Sequence, residues 1–247
     1  MGDDIVKSPW TNDEQALWVP LRKAWRALTK CASPAGMNEG VHALVQNRPA
    51  ARGRGRPRQF DPDHGVAIAL DLFRAHGYDR VTLSDLTGAI GINPPSFYAA
   101  FGNKALLFIR IADRYATEWL AEVREAFEAA PTLDAALDAV VMRAAARFAW
   151  QDDTENGWGG CLILESARNC SDAGVVAHLR KARLSVAAAL YRGISRWMPE
   201  QVVSLTDHVM TLLAGLSAMG RDGVGQDRLT SVASRAVRAL SGTAAQA

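Results

Sequence analysis

Apolar residues recur at intervals of three and four along most of residues 59–240. This interval places them on one face of an α-helix, and residues 118–220 contain no alternation long enough to indicate a strand. The pattern therefore predicts an all-α protein. No longer repeat period is evident, so a repeat array is not expected.

Residues 59–104 carry the clearest signals for helix ends. Asp61-Pro62 predicts the start of a first helix and Gly77 its end. Thr82 has the position of an N-cap in a capping box, and Asn93-Pro94 predicts the start of a third, short helix. A helix, a turn and a short helix at this spacing are typical of a helix-turn-helix.

The remainder of the chain indicates longer helices, which begin at Lys104, at Leu133, at Ser171-Asp172 and after Pro199. The sequence leaves open whether translation starts at Met1 or at Met37, and so whether residues 1–36 belong to the cellular protein. The predicted division is a weakly ordered extension (1–50), a basic arm (51–58), a helix-turn-helix domain (59–104), a C-terminal helical domain (105–240) and a tail (241–247).

The net charge of the chain says little about its partner, but the local distribution of charge is informative. The 247 residues include 28 Lys+Arg and 26 Asp+Glu, a net charge of +2. Four cations nevertheless alternate with Gly and Pro just before the helix-turn-helix, namely Arg52, Arg54, Arg56 and Arg58. This spacing predicts contacts with phosphates or with a narrow A·T minor groove, because Arg54-Gly55-Arg56-Pro57 matches an AT-hook core. A flexible, solubilising linker is the alternative.

Composition also limits the class of protein. The three cysteines form no disulfide framework, which favours a reducing cytosol, and no apolar run is long enough for a membrane span. The N-terminus lacks the features of a signal peptide. The five histidines show no metal-ligand spacing, and no catalytic or phosphate-binding motif is present. We therefore expect a cytoplasmic protein that is not an enzyme and uses no metal or cofactor.

The segment that runs from Arg56-Pro57-Arg58-Gln59-Phe60-Asp61 through Phe97-Tyr98-Ala99-Ala100-Phe101-Gly102-Asn103-Lys104-Ala105-Leu106 resembles the DNA-binding domain of the TetR (tetracycline repressor-like) family. The resemblance implies an N-terminal three-helix DNA-binding domain followed by a helical bundle for ligand binding and dimerisation. It also implies a homodimer that binds double-stranded DNA at a palindromic operator. The weaker match of Gly160-Cys161-Leu162 indicates one common subgroup of the family.

Three residues match positions at which the family usually contacts phosphate: Thr82, Tyr98 and Lys104. A helix N-terminus favours an anion, which supports Thr82. The alternatives are a plain N-cap, a half-buried aromatic ring and a solvated lysine, respectively.

The predicted recognition helix departs from the family pattern, because it contains no Arg, Lys or Gln. Asn93 and Ser96 are its candidate hydrogen-bonding residues, and Pro94 is a candidate for contact with a thymine methyl. Direct readout of bases should therefore be sparse, which shifts specificity toward the basic arm.

The resemblance also implies a pocket for a small-molecule effector in the C-terminal domain. Its candidate lining residues are Trp119, Phe148, Trp158, Glu165 and His178, although each alone is more commonly core or surface. Ala214-Gly215 and Ala218 are small enough for close helix approach in a dimer, with plain intrachain core as the alternative.

Two functional hypotheses follow. The favoured one is a homodimeric repressor released from its operator by a small molecule. The alternative is an architectural A·T-rich DNA-binding protein without an inducer. The sequence leaves open the effector, the operator, the choice between repression and activation, and whether Cys161 or Cys170 is redox-active.

Overall fold

The computed structural model describes residues 61–151, 157–168 and 170–244. Within these residues the chain forms nine α-helices and no strand, apart from an isolated antiparallel bridge between Gln151 and Trp158. The predicted all-α class is confirmed. The helices are α1 (Pro62–His76), α2 (Leu83–Ile90), α3 (Pro94–Phe101), α4 (Lys104–Ala129), α5 (Leu133–Phe148), α6 (Leu162–Arg168), α7 (Ala173–Ile194), α8 (Val202–Arg221) and α9 (Gln226–Ala244).

Local polar residues set the starts of most of these helices. Asp61, Thr82, Asn93 and Asn103 cap the first four helices, each accepting a hydrogen bond from a backbone N–H in the first turn. Asp172 caps α7 in the same way. These caps satisfy N–H groups that have no partner inside the helix, which explains why their positions were predictable.

The last helix extends beyond its predicted end, and α7 ends in a tight turn. α7 ends at Ile194, whose carbonyl accepts hydrogen bonds from the N–H groups of Trp197 and Met198. At the C-terminus, α9 continues to Ala244, into the segment predicted as a tail. No proline interrupts that segment, so the helical hydrogen bonding can propagate.

An aromatic cluster joins the first helices to α4. The ring centroids of Phe73 and Phe108 are 4.8 Å apart, and those of Tyr78 and Phe108 are 5.1 Å apart. Phe97 and Phe101 of α3 are also buried. The cluster fixes α1, the α1–α2 loop and α3 on the N-terminal half of α4.

The helices of the C-terminal part surround an apolar core. α5 packs against α4, α8 and α9, while α7 packs against α4, α6 and α8. The end of α5 and the segment before α6 both approach the end of α8: a Cβ on Gly220 would collide with the Phe148 carbonyl, and a Cβ on Gly159 would collide with the Gly220 carbonyl. Glycine at this crossing therefore brings α6 against the C-terminal end of α8.

Candidate functional site

The N-terminus of α2 is an exposed capping box. Thr82 Oγ1 accepts a hydrogen bond from the Asp85 N–H at 3.2 Å, and Asp85 Oδ2 accepts from the Thr82 N–H at 2.8 Å. The Thr82 hydroxyl also lies 2.8 Å from the same carboxylate, as its donor. The hydrogen bonds that the Asp85 carboxylate accepts lower its pKa, and the bond from the Thr82 backbone has the largest effect. The Thr82 hydroxyl is thus already a donor within the chain, so a phosphate here would meet mainly backbone N–H groups and the helix dipole.

Helix α3 presents a largely uncharged surface. Asn93, Pro94, Ser96 and Tyr98 are all exposed, and Tyr98 retains 53% of its accessible surface. The Asn93 side-chain oxygen accepts from the Ser96 N–H at 2.9 Å, which completes the cap of the helix. Because bidentate recognition of adenine uses both the oxygen and the NH₂ of an Asn, Asn93 keeps only its NH₂ group for a base.

Lys104 is half-buried and hydrogen-bonded within the chain, unlike a solvated lysine. Its Nζ donates hydrogen bonds to the carbonyls of Tyr78 at 3.1 Å and Val81 at 3.0 Å, and lies 4.3 Å from the centre of the Tyr78 ring. An ammonium has three N–H donors, so one remains for a phosphate oxygen. The side chain therefore fastens the α1–α2 loop to α4 whether or not it contacts DNA.

The basic arm cannot be placed in the same way. Arg52, Arg54, Arg56 and Arg58 lie outside the described residues, and their contact with DNA stays a prediction. Arg80, just before α2, is exposed.

The α1–α2 loop is also fastened to the α6–α7 connection. The Tyr78 hydroxyl donates to Asp172 Oδ2 at 3.2 Å, and Asp79 accepts from both the N–H and the hydroxyl of Ser171 at 2.9 Å. Burial, together with the Asp172 carboxylate, raises the pKa of Tyr78. A movement of α6 and α7 would therefore be transmitted directly to the loop that leads into α2.

Two cavities flank Arg74 at the end of α1. The inner cavity has a volume of about 400 Å³ and lies between the α1–α2 loop, α6 and the end of α8; its walls include Tyr78, Cys161 and Glu165. The outer cavity has a volume of about 460 Å³ and includes Arg147 and Trp158 in its walls. Arg74 is common to both.

The predicted pocket residues do not form one site. Trp158 lines the outer cavity, and Glu165 lines the inner one, where it accepts a hydrogen bond from Ser217 at 2.6 Å. Trp119 and Phe148 are buried against each other, with ring centroids 6.2 Å apart. His178 Nε2 lies 2.6 Å from Asp113 Oδ1 and joins α7 to α4.

Two residues of this region were missed by the sequence analysis: Arg74 and Tyr115. Arg74 lies in the helix-turn-helix part, where no pattern marks it as a cavity residue. Tyr115 lies on the apolar stripe of α4, where its spacing indicates core. Only the tertiary structure, which brings the end of α1 beside α4 and Trp158, distinguishes them.

The two described cysteines are not activated. Burial raises the pKa of the Cys161 thiol, which is 6% exposed, and burial also raises the pKa of Cys170. A raised pKa lowers the thiolate fraction, and the thiolate is the reactive form. Among the described residues, no group of three or more His, Cys, Asp or Glu side chains is arranged to hold a metal ion.

Helix α8 is long and apolar enough, by length and composition alone, to span a membrane. Its apolar residues are nevertheless mostly buried or half-buried against the core, and its exposed residues are mostly polar. A core helix of a soluble protein passes the same test, so this is weak support for a membrane. Gly215 is exposed, and nothing lies within 4 Å of a Cβ placed on it.

A helix-turn-helix of three short helices, set on a larger helical body, defines a class of DNA-binding regulators. The family model for bacterial regulatory proteins of the tetR family matches residues 66–111, which run from α1 into α4. The HTH-type transcriptional repressor BdcR of Escherichia coli (strain K12) is 32% identical over 193 residues, covering 75% of this chain and 92% of BdcR. This chain therefore belongs to the TetR family of transcriptional regulators.

Other relatives agree with this assignment. The HTH-type transcriptional repressor ComR of the same strain is 28% identical over 200 residues, covering 76% of this chain and 92% of ComR. A solved structure of a cysteine mutant of the TetR family transcriptional regulator CifR, complexed with 26bp double-strand operator DNA, has a TM-score of 0.67 and 30% identity. That match covers 74% of this chain and 99% of the CifR chain.

Proposed function

We propose that this protein is a homodimeric repressor that occupies a palindromic operator and leaves it when a small molecule binds its C-terminal domain. The observation that carries the proposal is the exposed surface formed by the N-terminus of α2 and by α3. Both helices have N-terminal caps, and the surface offers Tyr98 and backbone N–H groups to phosphates. The side chains of Thr82, Asn93 and Ser96 are all exposed. The operator complex of CifR supports DNA as the partner.

Sparse base contacts are part of the proposal. With the Asn93 oxygen used in the cap, α3 offers one side-chain NH₂ group, the Ser96 hydroxyl and apolar atoms for base recognition. The arm containing Arg54 and Arg56 would add affinity and selectivity for A·T-rich sequence, because narrow minor grooves attract guanidinium groups.

Dimerisation is supported by α8. Several of its apolar residues are only half-buried within one protomer, among them Met210, Leu212 and Met219, and such partly exposed apolar residues suit an interaction site. The exposed Gly215, with the half-buried Ala214 and Ala218 beside it, permits close approach of a second helix. Two copies related by a twofold axis would then present two α3 helices to two half-sites.

Release by an effector is supported by the cavities at the junction of α1 with the helical body. A ligand that binds one arrangement of α1, α5 and α6 more tightly than another shifts the protein toward that arrangement. The hydrogen bonds of Tyr78 and Asp79 to the α6–α7 connection would transmit the shift to α2.

Genome-wide binding of the full chain in its native host tests this proposal. A repressor predicts a small number of occupied sites that share a palindromic motif, with increased transcription of the adjacent genes when the protein is deleted. The architectural alternative predicts broad occupancy that follows A·T content, with no shared motif. That outcome would exclude the repressor.

A further inference from the structure

The outer cavity carries an excess of positive charge. Arg74, Arg143 and Arg147 line it together with a single acid, Glu122. Arg147 forms an ion pair with Glu122, and Arg143 pairs with Glu125 at 3.2 Å. Among the described residues, the Arg74 guanidinium has neither an ion pair nor a hydrogen bond.

Arg74 is held by aromatic rings instead. Its guanidinium carbon lies 3.9 Å from the centre of the Trp158 ring and 5.9 Å from that of Tyr115. Burial lowers the pKa of Arg74, and the nearby Arg147 guanidinium acts in the same direction, whereas the carboxylates of Asp71 and Glu118 oppose them. A guanidinium that has lost water and faces a like charge has a strong preference for an anion.

A buried tyrosine lies beside both arginines. Tyr115 is only 4% exposed, and its hydroxyl faces the Cys161 thiol and the Arg147 guanidinium. The Arg147 guanidinium carbon lies 5.1 Å from the centre of the Tyr115 ring, and the Arg74 guanidinium carbon lies 5.9 Å from it, so the ring lies under both arginines.

We propose that Arg74 and Arg147 form the binding site of a small organic carboxylate with an apolar body. The planar fork of a guanidinium matches the two oxygens of a carboxylate, and the Trp158 side of the cavity suits an apolar group. This inference rests on the proposed function, because it gives the chemical class of the effector.

The position of Arg74 explains how such a ligand would act on DNA binding. Arg74 belongs to α1, whereas Arg147 belongs to α5. The backbone carbonyl of Arg74 also accepts a hydrogen bond from Arg221 of α8 at 2.9 Å. A carboxylate shared by the two arginines replaces their repulsion with attraction, which changes the position of α1 that is most stable.

Calorimetric titration of the full chain with benzoate and butyrate tests the site, with benzamide and butyramide as neutral counterparts at constant ionic strength. We expect at least one carboxylate to bind and its amide not to bind. At a hundredfold excess over its dissociation constant the carboxylate should raise the melting temperature by about 5 to 10 °C. Equal binding of acid and amide, or no binding of either carboxylate, would overturn the proposal.

Variants locate the site. Arg74→Gln should weaken carboxylate binding by about tenfold or more, since a charge-assisted bidentate contact is lost. Arg180→Gln, at an exposed arginine of α7, is the matched control and should bind normally. Arg147→Lys serves if Arg74→Gln fails to fold: it keeps a positive charge beside Glu122 and loses the planar fork, so carboxylate affinity should fall several-fold. Unchanged affinity in a folded Arg74→Gln or Arg147→Lys variant contradicts the site.

Binding to operator DNA is measured separately, with and without the carboxylate. Arg74-dependent carboxylate binding that leaves DNA affinity unchanged would confirm the site and contradict the effector role. Ligand-independent failure to bind specific DNA would instead contradict the proposed function, while the calorimetric result on the site would stand.

Discussion

Lys104 is the residue at which a structural role and a DNA-contacting role can be separated most sharply. Replacing Lys104 by Met keeps the aliphatic stem and removes both the charge and the donors. Two hydrogen bonds are lost, at 3.0 Å and 3.1 Å, together with the contact to the Tyr78 ring. The carbonyls of Tyr78 and Val81 are left without this donor.

The size of the effect follows from these contacts. Hydrogen bonds made by a charged group contribute about 1.5 to 3 kcal/mol each, and an exposed cation–π contact about 0.5 to 1 kcal/mol. Because the site is half-buried and water can replace part of the bonding, we expect Lys104→Met to lower the free energy of unfolding by about 2 to 4 kcal/mol in total. The melting temperature should fall by about 5 to 15 °C.

Thermal and urea unfolding measure this loss, with both proteins at the same protomer concentration. Lys181→Met, at an exposed lysine of α7, is the control and should unfold like the unmodified protein. The salt dependence of DNA binding measures the other role, because loss of one phosphate contact lowers the log–log slope by about 1 per subunit. If Lys104→Met unfolds like the control, the hydrogen bonds of Lys104 to the α1–α2 loop do not stabilise the protein.

The remaining predictions concern α3, the dimer, the arm and the capping box. Asn93→Asp keeps the cap but removes the NH₂ donor, so stability should stay constant while specific DNA affinity falls by about 1 to 2 kcal/mol; an equal loss on nonspecific DNA would contradict a base contact. Gly215→Glu should give a folded monomer by analytical ultracentrifugation, whereas Gly88→Glu, at an exposed glycine of α2, should remain a dimer; dimers from both variants would exclude α8 as the interface. Replacing Arg54 and Arg56 by Ala should lower the salt slope by about 2 per subunit, and an unchanged slope would exclude phosphate neutralisation by the arm. Because the pKa of Asp85 is lowered from 3.8 in the folded state, its contribution to stability is complete above that value and is lost as pH falls through the folded pKa; Asp85→Asn should remove this acid sensitivity in urea unfolding, and an unchanged pH profile would contradict the capping box.

The helix-turn-helix could be predicted from sequence because its determinants are local. A cap such as Asp61 or Asn93 acts on N–H groups two or three residues away, and Gly91 at φ 75° permits the left-handed turn where it stands. The buried positions of Phe73 and Phe97 follow from helical spacing, which is also local.

Trp158 and Glu165, both expected to line a pocket, line different cavities. The contacts that Arg74 makes with Trp158, and Glu165 with Ser217, could not be predicted, because they depend on the packing of segments that are far apart in sequence. The expected pocket residues Trp119 and Phe148 meet each other instead, because their helical stripes face a common core. Lys104 has the position that the family pattern assigns it, but that pattern does not predict its hydrogen bonds to two carbonyls of the α1–α2 loop.

Recognition of a particular DNA sequence through α3 and the arm can be measured by fluorescence anisotropy with the full chain. The affinity for a site selected from the native genome is compared with that for a shuffled duplex of equal A·T content at the same salt concentration. We expect the selected site to be bound about a thousandfold more tightly, or better. Equal affinity for the two duplexes would contradict it.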